Sequence, residues 1–342
     1  MVSLRLTSEK IRHFILTNVE KHPGNISSLT AAHFSITRQA VFKHLKALVA
    51  EKALIELGKT KNKIYKLAPL VQWTKTYKII PGLAEDRVWR EDISEKLGDL
   101  PDNVMRIWSY GFSEMFNNAI DHADASEIII DLERDAVNTQ LIIYDNGIGI
   151  FKKIQTSLNL LDEKEAVFEL SKGKLTTDPK RHSGEGIFFS SRVFDSYEII
   201  SNSTSFSHQF GEVEDWVLDN YKVKKGTVIC MKLNNHTARK TKDIFDEYSI
   251  KDDYSFSKTV VPVQLAQYEN DYLVSRSQAK RILNRLEKFK VVIFDFESVE
   301  SIGQAFADEI FRVFANQHPE MELLAINTTP EVGQMIRRAK AK

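Results

Sequence analysis

Apolar residues recur at helical spacing near the start of the chain. Over residues 3–21, Leu6, Ile11, Phe14, Ile15 and Val19 share one face, and His22-Pro23-Gly24 ends the segment. A short second helix is expected over residues 26–34 behind Asn25. A third starts at Thr37, with Val41, Leu45 and Leu48 inward and Arg38, Gln39, Phe42, Lys43 and Lys46 outward. The period then falls to two. Residues 54–57 and 63–67, joined by the turn at 58–62, predict a β-hairpin. Residues 69–84, punctuated by Pro69 and Pro81-Gly82, read as a linker. A lead-in helix over 85–97 and a long helix from Pro101 follow, then strands at 127–132 and 140–144. Residues 158–170 are expected to be helical, and another helix should begin at Ile187. Strands near 197–201, 206–210, 212–218 and 227–233 complete a sheet with helices on one face. A polar stretch over 234–253 marks the next boundary. Beyond it strands (260–265, 291–296, 322–326) alternate with helices (277–289, 302–317, 330–338), which predicts a small α/β unit.

Composition narrows the class. A chain of 342 residues, 42% hydrophobic, has room for two or three domains. Its one cysteine, Cys230, excludes an intramolecular disulfide framework and a Cys-based zinc site, and suits a reducing cytosol. No apolar run approaches the roughly 18 residues of a membrane span, and the start of the chain lacks the apolar core of a signal peptide. A cytoplasmic protein without a membrane partner is expected. The net charge is zero but uneven: residues 1–70 carry 12 Lys+Arg against 4 Asp+Glu. A basic head on an acidic body suggests that the head alone meets a polyanion. His13, His22, His33 and His44 lack metal-ligand spacing.

The chemistry concentrates between Glu114 and Gly149. Phe112, Met115, Phe116, Ala119 and Ile120 form an apolar stripe, while Glu114 and Asn118, four apart, stand one turn from each other on a second face. An apolar strand then runs into Asp145-Asn146-Gly147-Ile148-Gly149, whose glycines let the backbone turn and approach a ligand. These groups suit a nucleotide. Asp145 can accept from an exocyclic amine, Asn118 can hold Mg²⁺ through its carbonyl, and Glu114 can take a proton from water. Downstream, Ser171 to Pro179 is basic enough to close on phosphates, which makes Lys172, Lys174 and Arg181 phosphate candidates, with a solvated loop the alternative for each. Backbone amides after Ser183-Gly184-Glu185-Gly186 would meet phosphates at a helix start.

These motifs resemble the GHKL (Bergerat-fold) ATPases, which include DNA gyrase B subunits, MutL, Hsp90, histidine kinases and anti-sigma-factor serine kinases. Glu114 to Asp121 matches the N box, Asp145 to Gly149 the first glycine box and Ser183 to Ile187 the second. Lys225-Gly226-Thr227-Val228 matches the late strand whose threonine reaches the adenine pocket. The resemblance implies a Bergerat α/β sandwich over residues 85–235 with its lid at 151–182, binding ATP and Mg²⁺. Glu114 would be the catalytic base and Asn118 the metal ligand. ATP would contact Asn118, Asp121, Asp145, Gly147, Gly149, Lys172, Lys174, Ser183, Gly184, Gly186 and Thr227. A sensor histidine kinase is disfavoured, since no His-Glu or His-Asp phosphoacceptor motif stands upstream.

The flanks carry resemblances too. Three helices and a hairpin over residues 1–68 resemble a winged helix-turn-helix, with Ser35 to Lys46 similar to the recognition helix of bacterial regulators. Arg38, Gln39, Lys43, Lys46, Lys59, Lys61 and Lys63 would meet double-stranded DNA. Residues 258–342 resemble a STAS-like α/β domain through Phe294-Asp295-Phe296 to Gly303-Gln304-Ala305-Phe306. Phosphorylation-switched antagonists of that kind carry Asp-Ser where this chain has Gly303-Gln304, so the switch is not expected. Asp308 and Glu309 on the following helix read as a solvated face, with interaction residues the alternative. The expected protein is a multidomain α+β and α/β regulator: an ATP-hydrolysing module whose winged helix binds DNA under nucleotide control. A serine/threonine kinase or defence-type ATPase whose winged helix docks a protein is the alternative. A protein partner for the STAS-like domain and a homodimer are both compatible with this organisation.

Overall fold

The computed structural model describes residues 2–59, 63–176, 183–211, 216–219, 225–250, 253–267 and 272–341. The chain is mixed α and β, with several separate sheets. Its first unit packs α1 (Val2–Asn18), α2 (Ile26–Phe34) and α3 (Arg38–Ala50) against the antiparallel pair β1 (Leu54–Leu57) and β2 (Ile64–Leu67). Ile11, Ile15, Val19, Ile26, Val41, Leu45 and Leu48 meet Leu54, Tyr65 and Leu67 in one core. Thr37 caps α3, its hydroxyl accepting from Ala40 N at 3.2 Å. Val137, from a turn of the next unit, is buried in the same core, so the two units touch there.

The central unit is an antiparallel sheet whose described strands run in the order β3-β4-β5-β9-β6-β7-β8. They are β3 (Val71–Lys78), β4 (Glu127–Arg134), β5 (Asn138–Asp145), β6 (Ser196–Ser201), β7 (Thr204–Gln209), β8 (Trp216–Asp219) and β9 (Thr227–Asn234). β3 corrects the expectation of a linker over 69–84. Val71, Trp73 and Tyr77 alternate along an edge strand, but Thr74, Lys75 and Thr76 dilute the apolar signal between two prolines. Helix α4 (Glu85–Val88) continues through a π-turn at Trp89–Ile93 into α5 (Ser94–Leu97), so the lead-in helix is real but internally irregular.

One sheet face carries the core. Ile128, Ile130 and Leu132 of β4, Leu141 and Ile143 of β5, and Ile229, Met231 and Leu233 of β9 are buried, following the period of two. Against them lies α6 (Asp102–His122), which buries Val104, Ile107, Trp108, Phe112, Met115 and Phe116. Helices α7 (Ile150–Leu158) and α8 (Glu163–Ser171) form the arm beyond β5, and α9 (Gly186–Val193) packs beside α6. The expected helix over 158–170 is α8, beginning five residues later, and α7 precedes it. They are separated at Asn159, whose positive φ of 53° closes α7.

The stretch 234–253, expected as a polar boundary, is structured. It holds α10 (Thr241–Glu247) and β10 (Ser249–Ile250), which pairs with β11 (Asp253–Phe256). The C-terminal unit is a parallel sheet in the order β12 (Lys258–Pro262), β13 (Val291–Asp295), β14 (Glu322–Ile326). It is packed by α11 (Arg276–Leu283), α12 (Gln304–Asp308), α13 (Ala315–Gln317) and α14 (Pro330–Lys340). A π-turn over Glu309–Phe314 joins α12 to α13. Asp308 and Glu309 are buried here, correcting the solvated-face expectation. Asp308 accepts from Gln304 Nε2 at 2.7 Å and from Arg312 Nη2 at 3.4 Å. Gln304 therefore serves the helix's own first turns.

Candidate functional site

The long helix, the strand end and the glycine loops meet around one cavity of about 250 Å³. α6 is amphipathic on two faces. Its apolar stripe fixes the helix on the sheet, and that leaves Glu114, Asn118 and His122, spaced four apart, along one edge of the cavity. Met115 and Ala119 line the same wall. Ile143 and Asp145 of β5 lie two apart on one face of that strand, as do Thr227 and Ile229 of β9. Antiparallel register pairs Asp145 with Thr227 directly, which is how a residue 82 positions later reaches the same spot.

Asp145 is only 5% exposed. Its Oδ1 accepts from Gly147 N at 2.9 Å and from Thr227 N at 3.3 Å, so the carboxylate is oriented by two backbone donors. Burial pushes its pKa above the ordinary carboxylate range, and those donors hold back part of the rise. Thr227 is buried as well, and its Oγ1 accepts from Ile150 N at 3.0 Å, tying β9 to the first turn of α7. Two glycines are required by close approach. A Cβ at Gly147 would run into the carbonyl of Ala123, where Ile148 N already donates at 3.0 Å. A Cβ at Gly186 would run into the Glu114 carboxylate, so the second glycine loop rests directly on the acid of α6.

Most of the residues singled out in the sequence are brought together. Glu114, Asn118, Asp145, Ser183, Gly184, Gly186 and Thr227 line the cavity, while Gly147 and Gly149 shape the loop beside it. Three are not. Asp121 is exposed: His122 and Ala123 line the cavity at that level, and Asp121 turns to solvent. Lys172 is 1% exposed, with Nζ 2.7 Å from the Glu169 carboxylate and also donating to the carbonyls of Asn284 (3.0 Å) and Arg281 (3.3 Å). Burial lowers its pKa to about 8, against the raising effect of Glu169. Lys174 donates through Nζ to the carbonyl of Lys288 at 2.9 Å and lies over the Phe289 ring. These two cations, read as phosphate contacts or solvated loop residues, are instead held by the C-terminal unit, because the arm that carries them is packed against it. Arg181 lies outside the described residues.

The sequence reading missed several wall residues. Lys153 lines the cavity and pairs with Asp124 at 3.0 Å; its signal was its place on the first turn after Gly149. His122 and the apolar Ile150, Ile154, Leu170, Leu175 and Ile187 were also missed. Glu185, between the two loop glycines, has a pKa raised by burial.

On the first unit, Arg38, Gln39, Lys43 and Lys46 are exposed along the outer face of α3, opposite the buried Val41, Leu45 and Leu48. Lys59 is exposed on the hairpin, and Lys61 lies outside the described residues. Lys63 pairs with Glu56 at 2.6 Å, and this bond holds the Glu56 carboxyl below its ordinary range. The charge of Lys63 is thus partly neutralised, unlike the open cation expected. Phe42, Ile55 and Leu57 are exposed apolar residues on the same elements.

Comparison with known families identifies the C-terminal unit. Residues 278–332 match the STAS-like domain of unknown function, DUF4325. The match runs from within α11 through β13 and β14 to the first turn of α14. No curated protein matches the chain. Among the described residues, no helix is long and apolar enough to cross a membrane.

Proposed function

We propose that the chain binds ATP with Mg²⁺ and transfers its γ-phosphoryl group to water, as a GHKL-type module. The first unit then acts as a winged helix on double-stranded DNA under nucleotide control. The observation that best supports this reading is the meeting of Glu114, Asn118, Asp145, Thr227 and Gly186 around one cavity with apolar walls. A buried carboxylate oriented by two backbone donors suits an exocyclic amine, and the isoleucines beside it suit a planar ring. Guanine presents an acceptor at that position, so GTP should compete poorly.

Mg²⁺ would be held by the Asn118 carbonyl with phosphate oxygens and water, and it supplies neutralisation of charge on the transferring group. Glu114, one turn before Asn118, would orient the attacking water and take its proton, a role typically worth about 10²–10⁴-fold in rate. A kinase of this type uses the same carboxylate on a hydroxyl, so the acceptor follows from the partner rather than from Glu114. ATP with Mg²⁺ should raise the Tm of the full chain with rising ligand concentration, since ligand bound to the folded state stabilises it. No stabilisation at millimolar ATP would refute the nucleotide reading.

The four exposed polar residues on α3 favour DNA for the first unit. The exposed Phe42, Ile55 and Leu57, with Lys63 paired, favour the second reading: a protein-docking module on a serine/threonine kinase or defence-type ATPase. Retention of DNA at low salt and release at high salt would separate the two. A protein partner for the STAS-like domain belongs to either reading.

A further inference from the structure

Among the contacts that hold the arm leading into the cavity from outside, those of Arg285 in the C-terminal unit lie nearest the cavity wall. Arg285 follows α11, just beyond Asn284, in the segment that matches the STAS-like family. Its Nη2 donates to the carbonyl oxygen of Lys174 at 2.6 Å. Its Nη1 lies 3.1 Å from the Glu169 carboxylate and 3.4 Å from the Glu169 carbonyl. Both ends of the first bond are unusual: φ is 63° at Arg285 and 50° at Lys174. Residues other than glycine rarely adopt this left-handed conformation, and they keep it where the surroundings over-determine it. Here two such residues face each other across a short hydrogen bond.

The grip is reinforced on either side. Thr259 Oγ1 of β12 donates to the carbonyl of Lys172 at 2.7 Å, and Lys174 Nζ returns a bond to Lys288. The far side of the same arm is the cavity wall. Leu175, the residue after Lys174, and Thr176 both line the cavity, and Leu175 N donates to Gly184 O at 3.2 Å. One peptide therefore separates a carbonyl gripped by the C-terminal unit from a side chain facing the pocket.

We propose that Arg285 is a positioning residue for the nucleotide site: by holding the Lys174 carbonyl it sets Leu175 and Thr176 against the cavity, so that the STAS-like domain governs nucleotide affinity. The inference rests on the ATP reading above and adds a controlling residue that touches no nucleotide. Linkage makes the effect reciprocal, so bound nucleotide tightens the grip of the arm on the STAS-like domain.

The test uses the full chain. ATP affinity is measured by calorimetry, and KM and kcat from phosphate release, for wild type and for Arg285→Ala, Arg285→Lys, Thr259→Val and Asp145→Asn. Arg285→Ala should weaken ATP binding and raise KM within the roughly 5- to 150-fold range of couplings between sites. kcat should change less, because Glu114 and Asn118 stand on α6, whose place is set by its own packing in the core. Arg285→Lys keeps one donor and should recover part of the affinity. Thr259→Val should weaken binding in the same direction and decides the matter if Arg285→Ala fails to fold. Unchanged Kd and KM in folded Arg285→Ala, or unchanged Kd in Thr259→Val when it decides, would overturn the proposal. Asp145→Asn separates the two readings. If it loses ATP while Arg285→Ala does not, the positioning role alone fails; if it too binds ATP normally, the placement of the nucleotide in this cavity fails with it.

Discussion

Replacing Asp145 with Asn changes one oxygen for one NH₂ in a side chain that is 5% exposed and already oriented by Gly147 N and Thr227 N. Volume hardly changes, so the effect is electrostatic and directional. The amide oxygen should take the place of Oδ1 to keep the two backbone donors satisfied. That turns the NH₂ towards the position from which the carboxylate would accept the adenine amine, setting donor against donor. Hydrogen bonds to a charged group contribute about 1.5–3 kcal/mol, against about 0.5–1.5 kcal/mol for neutral pairs, and a buried unpaired donor costs about 1–3 kcal/mol more. Even the low end of that combination exceeds the roughly 1.4 kcal/mol that corresponds to tenfold. ATP affinity of Asp145→Asn should therefore fall by at least about tenfold by calorimetry. Most of the ATP-induced rise in Tm should go with it, while the unliganded protein stays folded. Unchanged ATP affinity in a folded Asp145→Asn protein would refute the assignment of this carboxylate to the base.

Two further outcomes follow from the charges. Lys172 has a folded-state pKa of about 8, and an unfolded lysine titrates near about 10.4. Below pH 8 both states hold the proton, and the penalty of burying the ammonium is fully present. Between these values the folded state sheds the proton first, so the stability contributed by this residue rises with pH. The difference in Tm between wild type and Lys172→Met should therefore shift in favour of wild type from pH 7.5 to pH 9.5, by differential scanning calorimetry; a constant difference would contradict the burial argument. For the first unit, Lys43→Ala with Lys46→Ala should shallow the salt dependence of DNA binding by roughly 0.9 log unit per log unit for each phosphate no longer neutralised. ATP affinity should be unchanged, and a wild-type chain that retains no DNA at low salt would move the reading to protein docking.

Much of this molecule is legible in its sequence because local pattern and tertiary fold agree. The helix over Ile26–Phe34 and the strand over Glu322–Ile326 fall where periodicity puts them. Glu114, Asn118, Asp145, Thr227 and the loop glycines meet because a helix repeat and two antiparallel strands each place their members on one face. What the pattern hides is what packing between units decides. β3 is an edge strand whose inward face, Val71, Trp73 and Tyr77, is interrupted by the exposed Lys75, which breaks its period of two. Lys172 and Lys174 look like solvated loop cations until the C-terminal unit supplies the carbonyls of Asn284 and Lys288 and the carboxylate of Glu169 closes on Lys172. Asp308 and Glu309 look like a charged helix face until the helix is seen to bury it. For β3 and the two lysines the deciding partner lies tens of residues away on another element, beyond the reach of a local period.

The central claim is that Glu114 and the cavity around it perform phosphoryl transfer to water, and single-turnover hydrolysis tests it most directly. Enzyme in excess over radiolabelled ATP, with Mg²⁺, is followed for phosphate release in wild type and in Glu114→Ala, with ATP binding measured on the same preparations. Glu114→Ala should bind ATP at least as tightly, having lost a carboxylate that would face the γ-phosphate. It should release phosphate about 10²–10⁴-fold more slowly. Equal rates in the two proteins, both saturated with ATP, would contradict the assignment of Glu114 as the base and leave the cavity as a site that binds without turnover.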